Sequence, residues 1–271
     1  MLAGEEHDTW AAGDLVVKFP RSSHDAEKIA REQQLHPLVR ERLGELVPEV
    51  VDVGQATTEF PFPVIAYARA RGRQGQTLEG PIIRPKPWAR TKLAGEVAAA
   101  LTRLHTIPVR KARAAGATTH KVDLRGVDAS EEAIARARRT AGDAVDAFLV
   151  DPLPSTSKAA ARGVLCHGDL KGEHLFVSED GTRLVAIIDW ADAAIADPAL
   201  DLAGLAIWLG PAFVREVLDG YGGPADDGTA DRAIFLARAG LLHHLDEVLA
   251  GTAAPSPPAV VEAQLRAAFG D

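Results

Sequence analysis

Asp169 and Asp189 are the carboxylates around which this chain can build chemistry. Asp169 follows His167 and Gly168, and His174 comes five residues later. Asp189 is followed by Trp190, Ala191 and a further acid, Asp192. Between them lie two apolar runs, residues 175–177 (Leu-Phe-Val) and 184–188 (Leu-Val-Ala-Ile-Ile), separated by Ser178, Glu179, Asp180 and Gly181. Asp-Gly between short β-rich runs is a strong hairpin signal. Pairing of the two runs brings their outer ends together, so both acids meet beside an imidazole. Such a group suits a divalent cation and an activated hydroxyl.

Other elements must hold this hairpin and complete the site. Residues 15–19 (Leu-Val-Val-Lys-Phe) follow a turn at Ala12, Gly13 and Asp14 and read as a strand carrying Lys18. Ser22 and Ser23 offer N-caps to a helix over residues 25–43, whose buried stripe is Ile29, Leu35, Leu38, Val39 and Leu43. Glu32 falls on that stripe. An inward carboxylate is costly unless paired, and Lys18 on the preceding strand is its nearest candidate; Glu27 lies off the stripe and is placed outside. Residues 61–68 read as the last strand of this part, and residues 69–72 leave the strand pattern. Beyond a proline-broken loop at 81–87, helical periodicity marks residues 88–105, 130–149, 200–209, 212–219, 231–250 and 259–269, while 109–128 reads as a polar loop. The expected fold class is α+β, with a small β-rich lobe over residues 1–70 and a larger, mainly α lobe over 71–271.

Composition narrows the functional classes. The 271 residues carry a net charge of -8 and 46% hydrophobic residues, which disfavours nucleic acid as a partner and fits an ordinary globular protein. One cysteine, Cys166, leaves no internal disulfide. No apolar run of 18 residues and no basic leader are present, so no membrane partner and a cytoplasmic location are expected. His243 and His244, adjacent on a helix, point in different directions and read as core or surface residues.

His167-Gly168-Asp169-Leu170 with His174 resembles the protein-kinase loop H-R-D-L-x-x-x-N, and Asp189-Trp190-Ala191 stands where D-F-G would. The His-Gly-Asp form followed by Ile188-Asp189-Trp190 is similar to the aminoglycoside phosphotransferase and choline kinase superfamily. That resemblance implies a bilobal, protein-kinase-like fold and transfer of a phosphoryl group from ATP or GTP, with Mg2+, to a small-molecule hydroxyl. Asp169 becomes the base or hydroxyl-orienting group, and Asp189 a metal ligand. His174 stands in the second metal position, where most of the superfamily has Asn; it binds metal through a neutral nitrogen or through water. Glu173-His174-Leu175-Phe176 and Asp192-Ala193-Ala194-Ile195-Ala196-Asp197-Pro198 look like segments of the 2″ class of aminoglycoside phosphotransferases.

The resemblance further implies that Lys18 contacts phosphates, that Lys18 and Glu32 form the kinase ion pair, and that Ala66, Tyr67 and Ala68 offer backbone groups to the purine. The segment of Ala3 and Thr9 takes the place of the phosphate-covering loop, although it lacks G-x-G-x-x-G. His167 and Asp201 are expected to brace the loop, Asp201 as a helix N-cap. Asp192 faces a substrate amine or caps a turn. Lys171 neutralises a phosphate or is a solvated loop residue, the latter being favoured. No long activation segment or A-P-E motif follows Asp189, which disfavours a protein substrate. An aminoglycoside-like antibiotic is the expected acceptor, giving resistance by phosphorylation; a choline, homoserine or sugar kinase, or a non-catalytic nucleotide-binding member, would share these motifs.

Overall fold

Strand formers dominate the first seventy residues, interrupted by one run of straight-chain helix formers. The computed structural model describes residues 2–3, 7–77, 85–151, 153–155, 162–252 and 257–270. Strands β1 (Leu2–Ala3), β2 (His7–Ala12), β3 (Leu15–Pro20), β4 (Val50–Gly54) and β5 (Val64–Ala68) form one antiparallel sheet in the order β1-β2-β3-β5-β4. Helix α1 (Ser23–Leu43) starts where the Ser22 hydroxyl accepts the Asp25 N–H at 3.1 Å. It buries Ile29, Glu32, Leu35, His36, Val39 and Leu43, close to the expected stripe. Ile29 meets Ile65 and Tyr67 of β5 in a small core under the sheet.

The remaining chain is mainly helical. It runs through β6 (Arg73–Gln74), α2 (Pro87–His105), α3 (Val109–Ala114), β7 (Thr118–Thr119), α4 (Glu131–Ala141) and α5 (Asp143–Val150). Then come β8 (Val164–Cys166), β9 (Leu175–Val177), β10 (Leu184–Ile187) and β11 (Ala194–Ala196). Helices α6 (Ala199–Leu209), α7 (Pro211–Gly220), α8 (Thr229–Ala250) and α9 (Pro258–Ala268) complete it. The expected hairpin is β9 and β10, with Leu175 opposite Ile187. β6 pairs with β9, and a second small sheet, β7-β11-β8, lies at the other end of the loop that carries Asp169. One core joins Leu35 and Val39 of α1 to Leu93 and Leu101 of α2, Leu175 of the hairpin, and Leu202 and Trp208 of α6. This is the expected α+β, kinase-like class.

Several elements differ from the expectation. The polar loop at 109–128 contains α3 and β7, and the single helix over 130–149 is two, because Gly142 at φ 62° ends α4 and starts α5. β4 was not anticipated, although Val50, Val51 and Val53 are strand formers, and β5 begins at Val64 and lies inside the sheet. Asp201 is no N-cap: α6 begins two residues earlier, after Pro198. Residues 4–6 of the proposed phosphate-covering loop and residues 81–84 of the proline-broken loop lie outside the described residues. Among the described residues no helix is long and apolar enough to cross a membrane.

Candidate active site

The loop between β8 and β9 is held from beneath by a buried carboxylate. Asp201 on α6 is fully buried; its oxygens accept the backbone N–H groups of His167 and Gly168, each at 2.9 Å, and the Nε2–H of His105 at 2.9 Å. Burial alone would raise its pKa, but these donors outweigh it and keep the carboxyl below its ordinary value. His105, at the end of α2, also meets the Tyr221 hydroxyl at 2.6 Å. Gly168 has φ 90°, and a Cβ there would lie 2.2 Å from the Asp192 carbonyl, so only glycine lets the two loops touch. Gly204 works similarly: a Cβ would lie 2.2 Å from the Leu170 carbonyl, so α6 packs backbone to backbone against the loop.

His167 is fixed on both ring nitrogens. Nε2–H donates to the Ile188 carbonyl at 2.9 Å, and Nδ1 accepts the Asp169 N–H at 3.3 Å. Burial pushes its pKa down, which favours this neutral ring. The ring also packs on Trp190, with centroids 4.6 Å apart. It therefore ties the Asp169 loop to the end of β10.

Asp169 itself is about a third exposed, its Oδ1 3.2 Å from Lys171 Nζ. Lys171 also reaches Glu173 at 3.0 Å, so it is an inner member of the site and not the solvated residue favoured from sequence. Burial works to raise the Asp169 pKa; Lys171, His174 and His167 outweigh it and hold the carboxylate ionised below its usual range. His174 donates Nδ1–H to the Asp169 carbonyl at 2.7 Å, and its Nε2 faces Asp189 Oδ2 at 3.9 Å; burial disfavours the charged ring, but Asp169 and Asp189 outweigh it and raise its pKa. That spacing fits two ligands on one cation: a carboxylate oxygen and an unprotonated nitrogen. Once the ring gives up its Nε2 proton, the pair fits a divalent cation held between Asp189 Oδ2 and His174 Nε2.

Asp189 follows β10 with φ 66°, a left-handed conformation rare outside glycine. Its Oδ1 meets Lys18 Nζ at 2.9 Å, while Glu32 holds the same ammonium at 3.0 and 3.2 Å. Burial disfavours the charged lysine, but Asp189 and Glu32 more than offset this and raise its pKa. Tyr67 lies under the ammonium, 5.5 Å from ring centroid to Nζ. Glu32 also accepts the Trp190 N–H at 3.3 Å. Asp192 does not stand free for a substrate amine: Lys28 of α1 holds its Oδ1 at 2.8 Å.

These groups open on a cleft of about 690 Å³. Thr9, Ala11 and Val16 of the sheet line its upper side, with Phe176 and Ile188 below. The chain leaves β5 along the same cleft through Ala68, Arg69, Ala70 and Gly72. Ala66, Tyr67 and Ala68 lie within the ladder between β3 and β4, and the Ala68 N–H is given to the Glu49 carbonyl at 2.8 Å. Ala66 and Tyr67 thus pair with strands on both sides, and the Arg69 N–H is given to the Asp14 carbonyl at 2.7 Å. Sequence reasoning missed His105 and Glu173 as parts of the site and favoured a solvated role for Lys171. The Leu-His-x-Ile-Pro pattern ending α2 offered a signal for His105; the other two lie beside the Asp169 motif.

Residues 3–234 match the family model described as phosphotransferase enzyme family. The chain belongs to the phosphotransferase enzyme family. A viomycin phosphotransferase from Streptomyces vinaceus is 30% identical over 244 residues, covering 84% of this chain and 79% of that relative. Among solved structures, the GDP complex of aminoglycoside 2'-phosphotransferase-IIIa matches with a TM-score of 0.69 at 22% identity, over 98% of this chain and 90% of that one. A macrolide 2'-phosphotransferase from Brachybacterium faecium gives 0.60 at 23% identity, over 100% and 94%. The family match and the viomycin relative make this chain a phosphotransferase, and the solved structures show the shared kinase-like fold.

Proposed function

We propose that this phosphotransferase moves the γ-phosphoryl group of ATP or GTP to a hydroxyl of a small-molecule antibiotic, and the sequence resemblance points to an aminoglycoside-like acceptor. The observation that carries the reading is the convergence of Asp169, His174, Asp189 and the Lys18–Glu32 pair on one cleft. In this reading residues 1–70 form the nucleotide lobe and 71–271 the catalytic and acceptor lobe, and the purine edge is met by backbone groups along the chain that leaves β5.

Phosphoryl transfer asks the protein for positioning and charge neutralisation more than for covalent work. Lys18, fixed by Glu32, binds phosphate oxygens. Asp189 and His174 would hold Mg2+, which would neutralise charge on the phosphates. Asp169, ionised and facing the cleft, accepts the hydrogen bond of the acceptor hydroxyl and orients its oxygen at the γ-phosphorus. Its lowered pKa suits it to orient the hydroxyl more than to remove a proton early. His167 and Asp201 keep Asp169 in place.

The test is phosphoryl transfer by the wild type and by Asp169→Asn with Mg2+ and a panel of antibiotics. The substitution is expected to lower kcat by about a hundredfold or more while nucleotide affinity stays within a few-fold. Equal turnover by both proteins, or no transfer to any hydroxyl compound by the wild type, would sink the proposal.

A further inference from the structure

Tyr221 stands apart from the residues that line the cleft, directly after α7, yet it is joined to the loop that carries Asp169. The end of α7 docks on α2 through small residues. A Cβ on Gly220 would meet Ala98 at 3.3 Å, and one on Gly222 would meet Thr102 at 3.3 Å. The Gly222 N–H is given to the Thr102 hydroxyl at 2.9 Å. Between those glycines the Tyr221 ring is set edge-on to His105, with centroids 5.6 Å apart and planes at 80°.

The direction of each hydrogen bond follows from the groups present. Burial, and behind it Cys166 and Asp201, push the Tyr221 phenol above its ordinary pKa, so the hydroxyl keeps its proton. Ionised Asp201 can only accept, so His105 carries a proton on Nε2 and gives it to that carboxylate at 2.9 Å. A neutral ring of this kind has a lone pair at Nδ1, and the Tyr221 hydroxyl at 2.6 Å is its donor. The His105 side chain, fully buried, is therefore held at both nitrogens. Asp201 in turn accepts the N–H of Gly168, so three hydrogen bonds link the Tyr221 hydroxyl to the residue before Asp169. Without the phenol a buried ring nitrogen loses its only donor among the described residues, and the ring is fixed at one end alone. Small misplacements passed on to a reacting group are costly even when they start far from it.

Resting on the role proposed above for Asp169, we infer that Tyr221 is a positioning residue for phosphoryl transfer: its hydroxyl fixes the His105 ring against Asp201, and so fixes where Asp169 meets the acceptor oxygen. It lies off the cleft, so it acts on turnover and leaves nucleotide binding alone.

The test uses hydrolysis of ATP and GTP with Mg2+, water standing in for the acceptor hydroxyl, and the imidazole 15N resonances of His105. Tyr221→Phe keeps the ring and removes only the hydroxyl. It is expected to lower kcat by about five- to tenfold while the nucleotide KM stays within about twofold. Combined with Asp201→Asn it is expected to cause no further loss, because the path is already broken there. The His105 resonances, assigned by their absence from His105→Gln, are expected to shift at Nδ1 and to hold at Nε2 when Tyr221 becomes Phe. An unchanged Nδ1 resonance overturns the inference, and that readout needs neither turnover nor the Asp201 variant. A loss that lies in KM, or that multiplies with the loss from Asp201→Asn, overturns it as well. Slow hydrolysis by Asp169→Asn beside an unimpaired Tyr221→Phe defeats the inference alone. Hydrolysis by Asp169→Asn as fast as by the wild type defeats the role of Asp169, and the inference with it.

Discussion

Lys28 Nζ stands 2.8 Å from Asp192 Oδ1 and so ties α1 to the segment that follows Asp189. Lys28 lies one helical turn before Glu32, whose carboxylate accepts the Trp190 N–H. The helix thus grips that segment at two successive turns, and the Lys18–Glu32 pair is kept in register with Asp189. The expected consequence is that Lys28→Met raises the nucleotide KM by roughly two- to fivefold, matching the ~0.5–1 kcal/mol of a half-exposed ion pair. Asp192→Asn should do the same. The charge-swapped double variant should recover part of the loss, and added salt should weaken the effect in the wild type. Strictly additive single effects in that cycle would rule the tether out.

His174 faces Asp189 through Nε2, with Nδ1–H given to the Asp169 carbonyl, so a cation bound between them would take the Nε2 lone pair in place of a proton. Imidazole suits transition metals better than it suits Mg2+, which prefers oxygen. Activity with Mn2+ relative to Mg2+ is therefore expected to fall when His174 is replaced by Asn, whose amide oxygen favours the harder ion. His174→Ala, which removes the ligand, should lower kcat with both metals by tenfold or more. Metal titrations of initial rate check this; an alanine variant with unchanged metal dependence would contradict it.

Asp201 is a buried carboxylate with a depressed pKa, so its contribution to stability has a definite sign. The folded state holds it ionised more firmly than the unfolded chain, where its pKa is about 3.9. The stabilisation is therefore present above that value and is lost as pH falls through the lower, folded pKa. Asp201→Asn is expected to cost about 3 kcal/mol near neutral pH, since it leaves His105 and two backbone N–H groups with a poorer acceptor. It should also flatten the loss of stability below about pH 4. Urea unfolding of both proteins between pH 3 and 7 measures this, and parallel curves would contradict it.

Much of the site was legible because its chemistry is written in adjacent residues. The hairpin between Asp169 and Asp189 followed from two apolar runs and an Asp-Gly turn, and Glu32 announced itself as an acid on an apolar stripe. Elements set by long-range packing were less legible. β11, read as Ala-Ile-Ala, has weak strand propensity and exists because β8 and β7 flank it. That β5 sits inside the sheet, with Ala66 and Tyr67 paired to both β3 and β4, was likewise invisible locally. Lys171 looked like a solvated loop lysine because nothing local shows that the loop folds its ammonium between Asp169 and Glu173.

Local pattern was enough to bring two acids to one hairpin's ends, to pair Lys18 with Glu32 and to give the α+β class, because each rests on neighbouring elements in the chain or on a single periodicity. Partner choice among charges was a tertiary matter. Lys28 and Asp192 are 164 positions apart, and His105 and Asp201 are 96 apart, so only the packed core determines that they meet. The same holds for the cleft's far wall, where α6, α8 and α9 each contribute isolated residues with no motif. Burial brings them to one surface, and that surface has a chemical character that none of the three segments has alone.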